Sequence, residues 1–325
     1  MRLSIQTVIT ILIVLGSLAA AVLVLRGVDV GLAVALILQA NVFYLVLALS
    51  ATLASLAARV IRWKYALLPG EDVPYVAVTS ALLISFLVGV AAVTGVGAVP
   101  RIYVLNRRTQ LSVGFILGTM VQEVILDMTA ILLIATILPF FVELPPFFVA
   151  VRVVLFLGLV LFLVFDLALV RHRSLVVTLL KRVGLWERLL GSLPGLLRGS
   201  LDDFSNGLGA VFFYPRPLSV VLVMTGVVWL ASILLFWFLM LSLNIFFTIV
   251  QASLVTAYTN AVITAIAVPG FFGTLEASAI TLTIVLGATP AAALAFTALL
   301  RVFLVVLPAL IGAYFAASEG FRIGR

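Results

Sequence analysis

The chain has 325 residues, 65% of them hydrophobic and only 10% charged, with a mean hydropathy of +1.38. No soluble core can bury that much apolar surface, so the composition indicates a polytopic α-helical membrane protein. The absence of cysteine and a single histidine exclude disulfides, thiolate metal centres and paired-histidine zinc sites, and the formal charge of +7 reads as membrane topology rather than nucleic-acid binding.

Arg2 precedes the first apolar run, at 5–25, which is long enough to span and lacks a small-residue cleavage site behind it. Further runs long enough to cross, at about 20 residues each, fall at 33–57, 113–138, 147–170, 218–241 and 291–317. Two other regions, 76–106 and 247–288, are apolar but interrupted: the first by Thr94-Gly95-Val96-Gly97, the second by Pro269-Gly270-Phe271-Phe272-Gly273. Basic residues cluster at Arg59, Arg62 and Lys64, at Arg107 and Arg108, through 171–216, and at Arg322 and Arg325. The positive-inside rule places all of these in the cytoplasm.

Both flanks of 76–106 are then cytoplasmic, whereas both flanks of 247–288 lack Lys and Arg and lie outside. The pattern predicts about six full transmembrane helices plus two opposed re-entrant hairpins, an inverted repeat whose site sits near the midplane. The alternative, one crossing per interrupted region, would put Arg107 and Arg108 outside. The chain forms a single membrane domain over 1–325, with a first half over about 1–170 and a second over about 217–325. Between them, 171–216 alternates Leu, Val and Trp with charges at helical spacing, as an amphipathic connector on the cytoplasmic interface does.

Five charges fall inside the hydrocarbon region: Arg101, Glu123, Asp127, Glu276 and Arg301. An unpaired charge at the bilayer centre costs about 2.5–3.5 kcal/mol even on lenient scales, so these should pair. Opposite signs in complementary halves predict Arg101 beside Glu276, and Arg301 beside Glu123 or Asp127. Such pairs either glue helices together or present a cationic pocket to a phosphate. The N-termini of half-helices at 98–101 and 274–277 would add partial positive charge. Gly95, Gly97, Pro269, Gly270 and Gly273 form the expected tips; Thr94, Thr256, Asn260 and Thr274 are candidate lining residues.

Several segments resemble one known family in order and spacing. Arg59-Val-Ile-Arg62-Trp63…Leu67-Leu68, Gly97-Ala-Val-Pro-Arg101, Gln122-Glu123…Asp127 and Pro269-Gly270-Phe-Phe-Gly273-Thr-Leu-Glu276-Ala277 with Arg301 downstream are similar to motifs of the flippase-like membrane family that includes the membrane half of lysylphosphatidylglycerol synthase. Departures are Ala98 for Glu, Val124 for Arg, and Phe271 and Phe272 inside the glycine block, where they are expected to narrow the pocket. The resemblance implies movement of a phosphate-containing lipid, aminoacylated or polyprenyl-linked, between leaflets. No synthetase domain lies within these residues, so aminoacyl transfer is not expected.

The reading is therefore a non-enzymatic lipid carrier of the cell membrane with cytoplasmic termini, no cofactor and no metal. Its partners are a membrane lipid substrate and an anionic lipid surface at the cytoplasmic face, with no nucleic acid and with homo-oligomer formation left open. Two other functions stay open: a secondary transporter of a small anion, and a membrane-embedded lipid phosphatase or transferase.

Overall fold

The computed structural model describes residues 28–91, 98–141, 201–265 and 269–318, together with 153–154, 156–164 and single positions 16 and 182. The expected run at 5–25, most of that at 147–170, the first part of the connector, Thr94, Gly95, Gly97 and both termini lie outside these. Among the described residues there is no strand. The helices are α1 (Val30–Leu38), α2 (Val42–Leu67), α3 (Tyr75–Ala91), α4 (Ala98–Arg108), α5 (Val113–Ile137) and α6 (Leu201–Gly209). They continue with α7 (Pro215–Ser242), α8 (Ile249–Ala265), α9 (Thr274–Val285), α10 (Pro290–Arg301) and α11 (Leu307–Ser318).

Four described helices are long and apolar enough to cross a membrane: α2, α5, α7, and the continuous rod from Pro290 to Ser318. Three of these match the runs expected at 113–138, 218–241 and 291–317. The run expected at 33–57 differs. Asn41 accepts a hydrogen bond from the Phe43 amide and starts a new helix, splitting the run into α1 and α2. Helix α2 then continues to Leu67, carrying Arg59, Arg62 and Lys64 inside the helix instead of on a cytoplasmic flank. Each interrupted region is a pair of shorter helices packed on one another, α3 on α4 and α8 on α9. In the rod, Val302–Val306 forms a π turn just ahead of Pro308. A proline ring clashes with the carbonyl four residues earlier in a regular α-helix, here that of Leu304, and the wider turn accommodates it.

Two apolar cores are stacked along the long helices. Ala48 and Ala51 of α2 and Leu235, Phe236, Leu239 and Met240 of α7 belong to one, with α8, α9 and α10. Val60, Trp63 and Leu67 of α2 and Val221 of α7 belong to the other, with α3, α4 and the start of α5. Residues 52–59 of α2 and 225–232 of α7 lie between the two. This seam carries Thr52, Arg59, Thr225 and Trp229, and it is where the polar groups collect.

Helix α6, the end of the connector, packs on α5 through two glycines. A Cβ on Gly207 would sit 2.1 Å from the Phe115 carbonyl oxygen, and one on Gly118 would sit 2.3 Å from that of Phe204. Backbone cannot yield as a flexible side chain can. Gly207→Ala should therefore push α6 off α5 and cost about 1–3 kcal/mol, read as a lower thermal midpoint in detergent. Gly226→Ala, with open space around its Cβ, is the control and should be silent.

Candidate functional site

The seam holds a network of three arginines and two carboxylates. Arg59 and Arg62 lie one turn apart on α2, and Glu123 and Asp127 one turn apart on α5, so two complementary faces meet. Arg62 is 1% exposed. It donates to Asp127 through both terminal nitrogens, Nη1 to Oδ1 at 2.7 Å and Nη2 to Oδ2 at 3.1 Å. The same Nη2 reaches Glu123 Oε1 at 3.0 Å, and Nη1 contacts Thr225 at 3.5 Å. Only a guanidinium fork spans two carboxylates in this way.

Arg101, from α4, donates to the other oxygen of Glu123, and its guanidinium stacks 3.8 Å from the Trp63 ring centroid. Trp63 is itself buried and fixed by donation of its indole N–H to Thr119. Trp229 donates to Asp127 Oδ1 at 3.1 Å, and Arg59 approaches Asp127 Oδ2 at 3.6 Å. Asp127 thus accepts three hydrogen bonds, with the Arg59 guanidinium close by as a further countercharge.

A second cluster closes the break before α9. Arg301 donates through Nε to Glu276 Oε1 at 2.7 Å and through Nη1 to the Gly270 carbonyl at 3.0 Å. Its Nη2 contacts Glu276 and the Phe271 carbonyl. Glu276 accepts from the Gly273 amide at 2.8 Å through its other oxygen. Gly270, Phe271 and Gly273 have φ of 58°, 57° and 83°, so the chain turns through the left-handed region. Glycine does so freely, whereas Phe271 is strained there.

These pairings correct the expected ones. Arg101 joins Glu123 and not Glu276, and Arg301 joins Glu276 and not Glu123 or Asp127. The cause is local packing: α4 lies on α5, and α9 lies on α10, so each half pairs its charges with near neighbours. Arg62, the most buried of the five charged groups in the first network, enters the sequence reading as a topology marker and as part of the Arg59…Leu68 motif, but not as a partner of the carboxylates. The signal that identifies it is the spacing of Arg59 and Arg62, one turn apart like Glu123 and Asp127.

Between the two clusters lies a cavity of about 400 Å³. Thr52, Ser55 and Arg59 of α2 line one side, Asp127 of α5 and Trp229 of α7 another, and Asn260 of α8 with Phe271 and Phe303 a third. Asn260 donates its amide N–H to the Thr256 carbonyl, which leaves its Oδ1 as an acceptor on the wall. Thr256 and Thr274 do not line the cavity. Both are buried, with their hydroxyls on the carbonyls of Ala252 and Phe271. Among the described residues, no group of three metal-ligating side chains comes together.

Long apolar helices around a buried layer of arginines and carboxylates, with a cavity opening at that layer, define an integral membrane protein with an internal polar site. Within that class the chain belongs to the family of the lysylphosphatidylglycerol synthase transmembrane region, whose family model matches residues 7–312. No curated protein matches the chain.

Proposed function

We propose that the protein moves a phosphate-bearing lipid between the leaflets of the cell membrane, holding the head group in the cavity between the two clusters. The observation that carries this reading is the charge imbalance in the buried network beside the cavity. Three arginines face two carboxylates, and Arg59, the loosest of the three at 3.6 Å from Asp127, lines the cavity. A phosphate oxygen there would gain a charge-assisted hydrogen bond and complete the balance.

Most of the remaining wall is apolar, with Leu56, Met128, Ile131, Leu235 and Phe236 beside the polar groups. That lining suits a lipid whose tails stay in the bilayer better than a fully hydrated solute. In this reading the two interrupted regions are hairpins entering from opposite faces, and alternating access arises as they rock around the seam. Membership of the family supports a lipid-related role, and the basic clusters support cytoplasmic termini facing anionic lipid. The role is transport and not catalysis.

Proteoliposomes carrying a short-chain fluorescent phospholipid test the proposal. Wild type should expose inner-leaflet label to an external quencher, and Arg59→Gln should slow this at least about tenfold, the value of one charge-assisted hydrogen bond. A wild-type rate equal to that of empty liposomes would end the lipid-carrier reading. Uptake of a water-soluble organophosphate without lipid transfer would favour the small-anion transporter instead.

A further inference from the structure

We propose that α3 and α11 move as one rigid pair, hinged at the π turn over Val302–Val306, and that the cavity closes when the end of α3 seats on the Gly270 turn. The inference rests on that cavity being the head-group site proposed above, and it names the part that rocks. The rod from Pro290 to Ser318 is continuous, yet its halves belong to two bodies. The first half, α10, packs on α1 and α9, and its Ala291, Ala295, Phe296 and Leu300 lie in the first core. The second half, α11, has α3 as its main neighbour, and its Ala316 lies in the other core. This second contact is close: a Cβ on Gly312 would stand 2.1 Å from the Leu83 carbonyl oxygen. Backbone packed on backbone leaves little room to slide, so α11 carries α3 with it.

The joint between the halves is where the rod bends most readily. The Leu307 amide donates to the Val302 carbonyl, five residues back, and Pro308 has no N–H to offer the Leu304 carbonyl. Bends in long helices concentrate at such turns and prolines. The joint also faces the site, since Phe303, Leu304 and Pro308 line the cavity together with Phe86 of α3. Phe271 lines it too, on the break whose carbonyls Arg301 holds. Arg301 is the last residue of α10, so the break stays with the first body and the movable pair begins one residue later. The bodies also touch at the tip of α3. A Cβ on Gly270 would come within 3.2 Å of the Val90 carbonyl oxygen, and Val90 packs against the first core. Lifting Val90 off Gly270 about the π turn would draw Phe86 and Pro308 away from Phe271 and open the cavity on that side.

The chain has no cysteine, so spin labels can be placed in pairs through Val76→Cys on α3, Tyr314→Cys on α11 and Leu230→Cys on α7, all at exposed positions. Distances are measured on the full chain in vesicles of phosphatidylglycerol and phosphatidylcholine. The 76–230 and 314–230 pairs should each show two distances, in the same proportions, whereas the 76–314 pair should show one. Pro308→Ala returns a backbone hydrogen bond to the rod. It should collapse the first two pairs to one distance and slow fluorescent-lipid transfer about fivefold, the worth of that bond, without lowering the thermal midpoint. A single 76–230 distance without the proline substitution, two distances for the 76–314 pair, or two populations indifferent to Pro308→Ala would overturn the inference. Two distances with no lipid transfer would leave the hinge standing and remove the carrier reading instead.

Discussion

Arg62→Leu should destabilise the protein more than loss of any charge on its surface, by about 3–5 kcal/mol, because it breaks a buried ion network from its centre. Arg62 is nearly sealed from solvent and holds both carboxylates of α5. Without it, Asp127 keeps only Trp229 and the distant Arg59, and Glu123 keeps only Arg101. Charge count alone predicts otherwise, since two arginines would then face two carboxylates. The geometry decides against that count, because neither remaining arginine reaches both acids.

Arg62→Lys isolates the point. It keeps the charge but loses the fork, so one ammonium must choose between acids that now share a guanidinium. We expect it to recover no more than about half of the loss, since a single hydrogen bond to a charged group contributes about 1.5–3 kcal/mol. Thermal denaturation in detergent measures both. An Arg62→Lys midpoint equal to that of wild type would mean that charge, not the bridging geometry, holds the seam.

The sequence discloses the membrane class and three of the four long described helices because apolar run length is set by bilayer thickness, a strong and local constraint. It also marks both interruptions, since glycine and proline have few other uses inside such runs. It misplaces α2 because hydropathy detects lipid-facing residues, whereas Arg59 and Arg62 are helical residues facing inward. The same cause hides Arg62. A buried arginine and a cytoplasmic one look alike until the partner carboxylates are placed beside it.

The pairing error has a different origin. Sign complementarity between halves is a global guess, and tertiary packing overrides it with nearer partners. Glu276 meets Arg301 because the short turn from Val285 to Pro290 folds α10 back on α9. Arg101 meets Glu123 because α4 and α5 are likewise neighbours. The sequence thus marks the charges that pair at depth but not their wiring, and of the five charged residues expected at the site only Asp127 lines the cavity.

That wiring makes Arg301 the keystone of the second break. Its guanidinium serves the Gly270 and Phe271 carbonyls and the Glu276 carboxylate at once, and it lies 4.4 Å from the Phe272 ring centroid. The two carbonyls belong to a left-handed turn that no regular helix can satisfy, and at membrane depth such groups need an internal partner. Arg301→Gln should leave them and Glu276 short of donors, costing about 3 kcal/mol or more. The strain at Phe271, about 1–2 kcal/mol for a left-handed non-glycine residue, then favours unwinding the turn.

Phe271 lines the cavity, so loosening the turn should also disturb lipid transfer. Because the chain has no cysteine, Thr274→Cys provides a single thiol that is buried in the intact turn. That thiol should react slowly with a maleimide in the otherwise native protein and rapidly once Arg301→Gln is added. Glu276→Gln should do less, since its amide oxygen can still accept from Arg301 while both carbonyls stay bonded. Equal labelling rates for the Arg301 and Glu276 variants would show that the carboxylate, and not the guanidinium on the backbone carbonyls, keeps this turn closed.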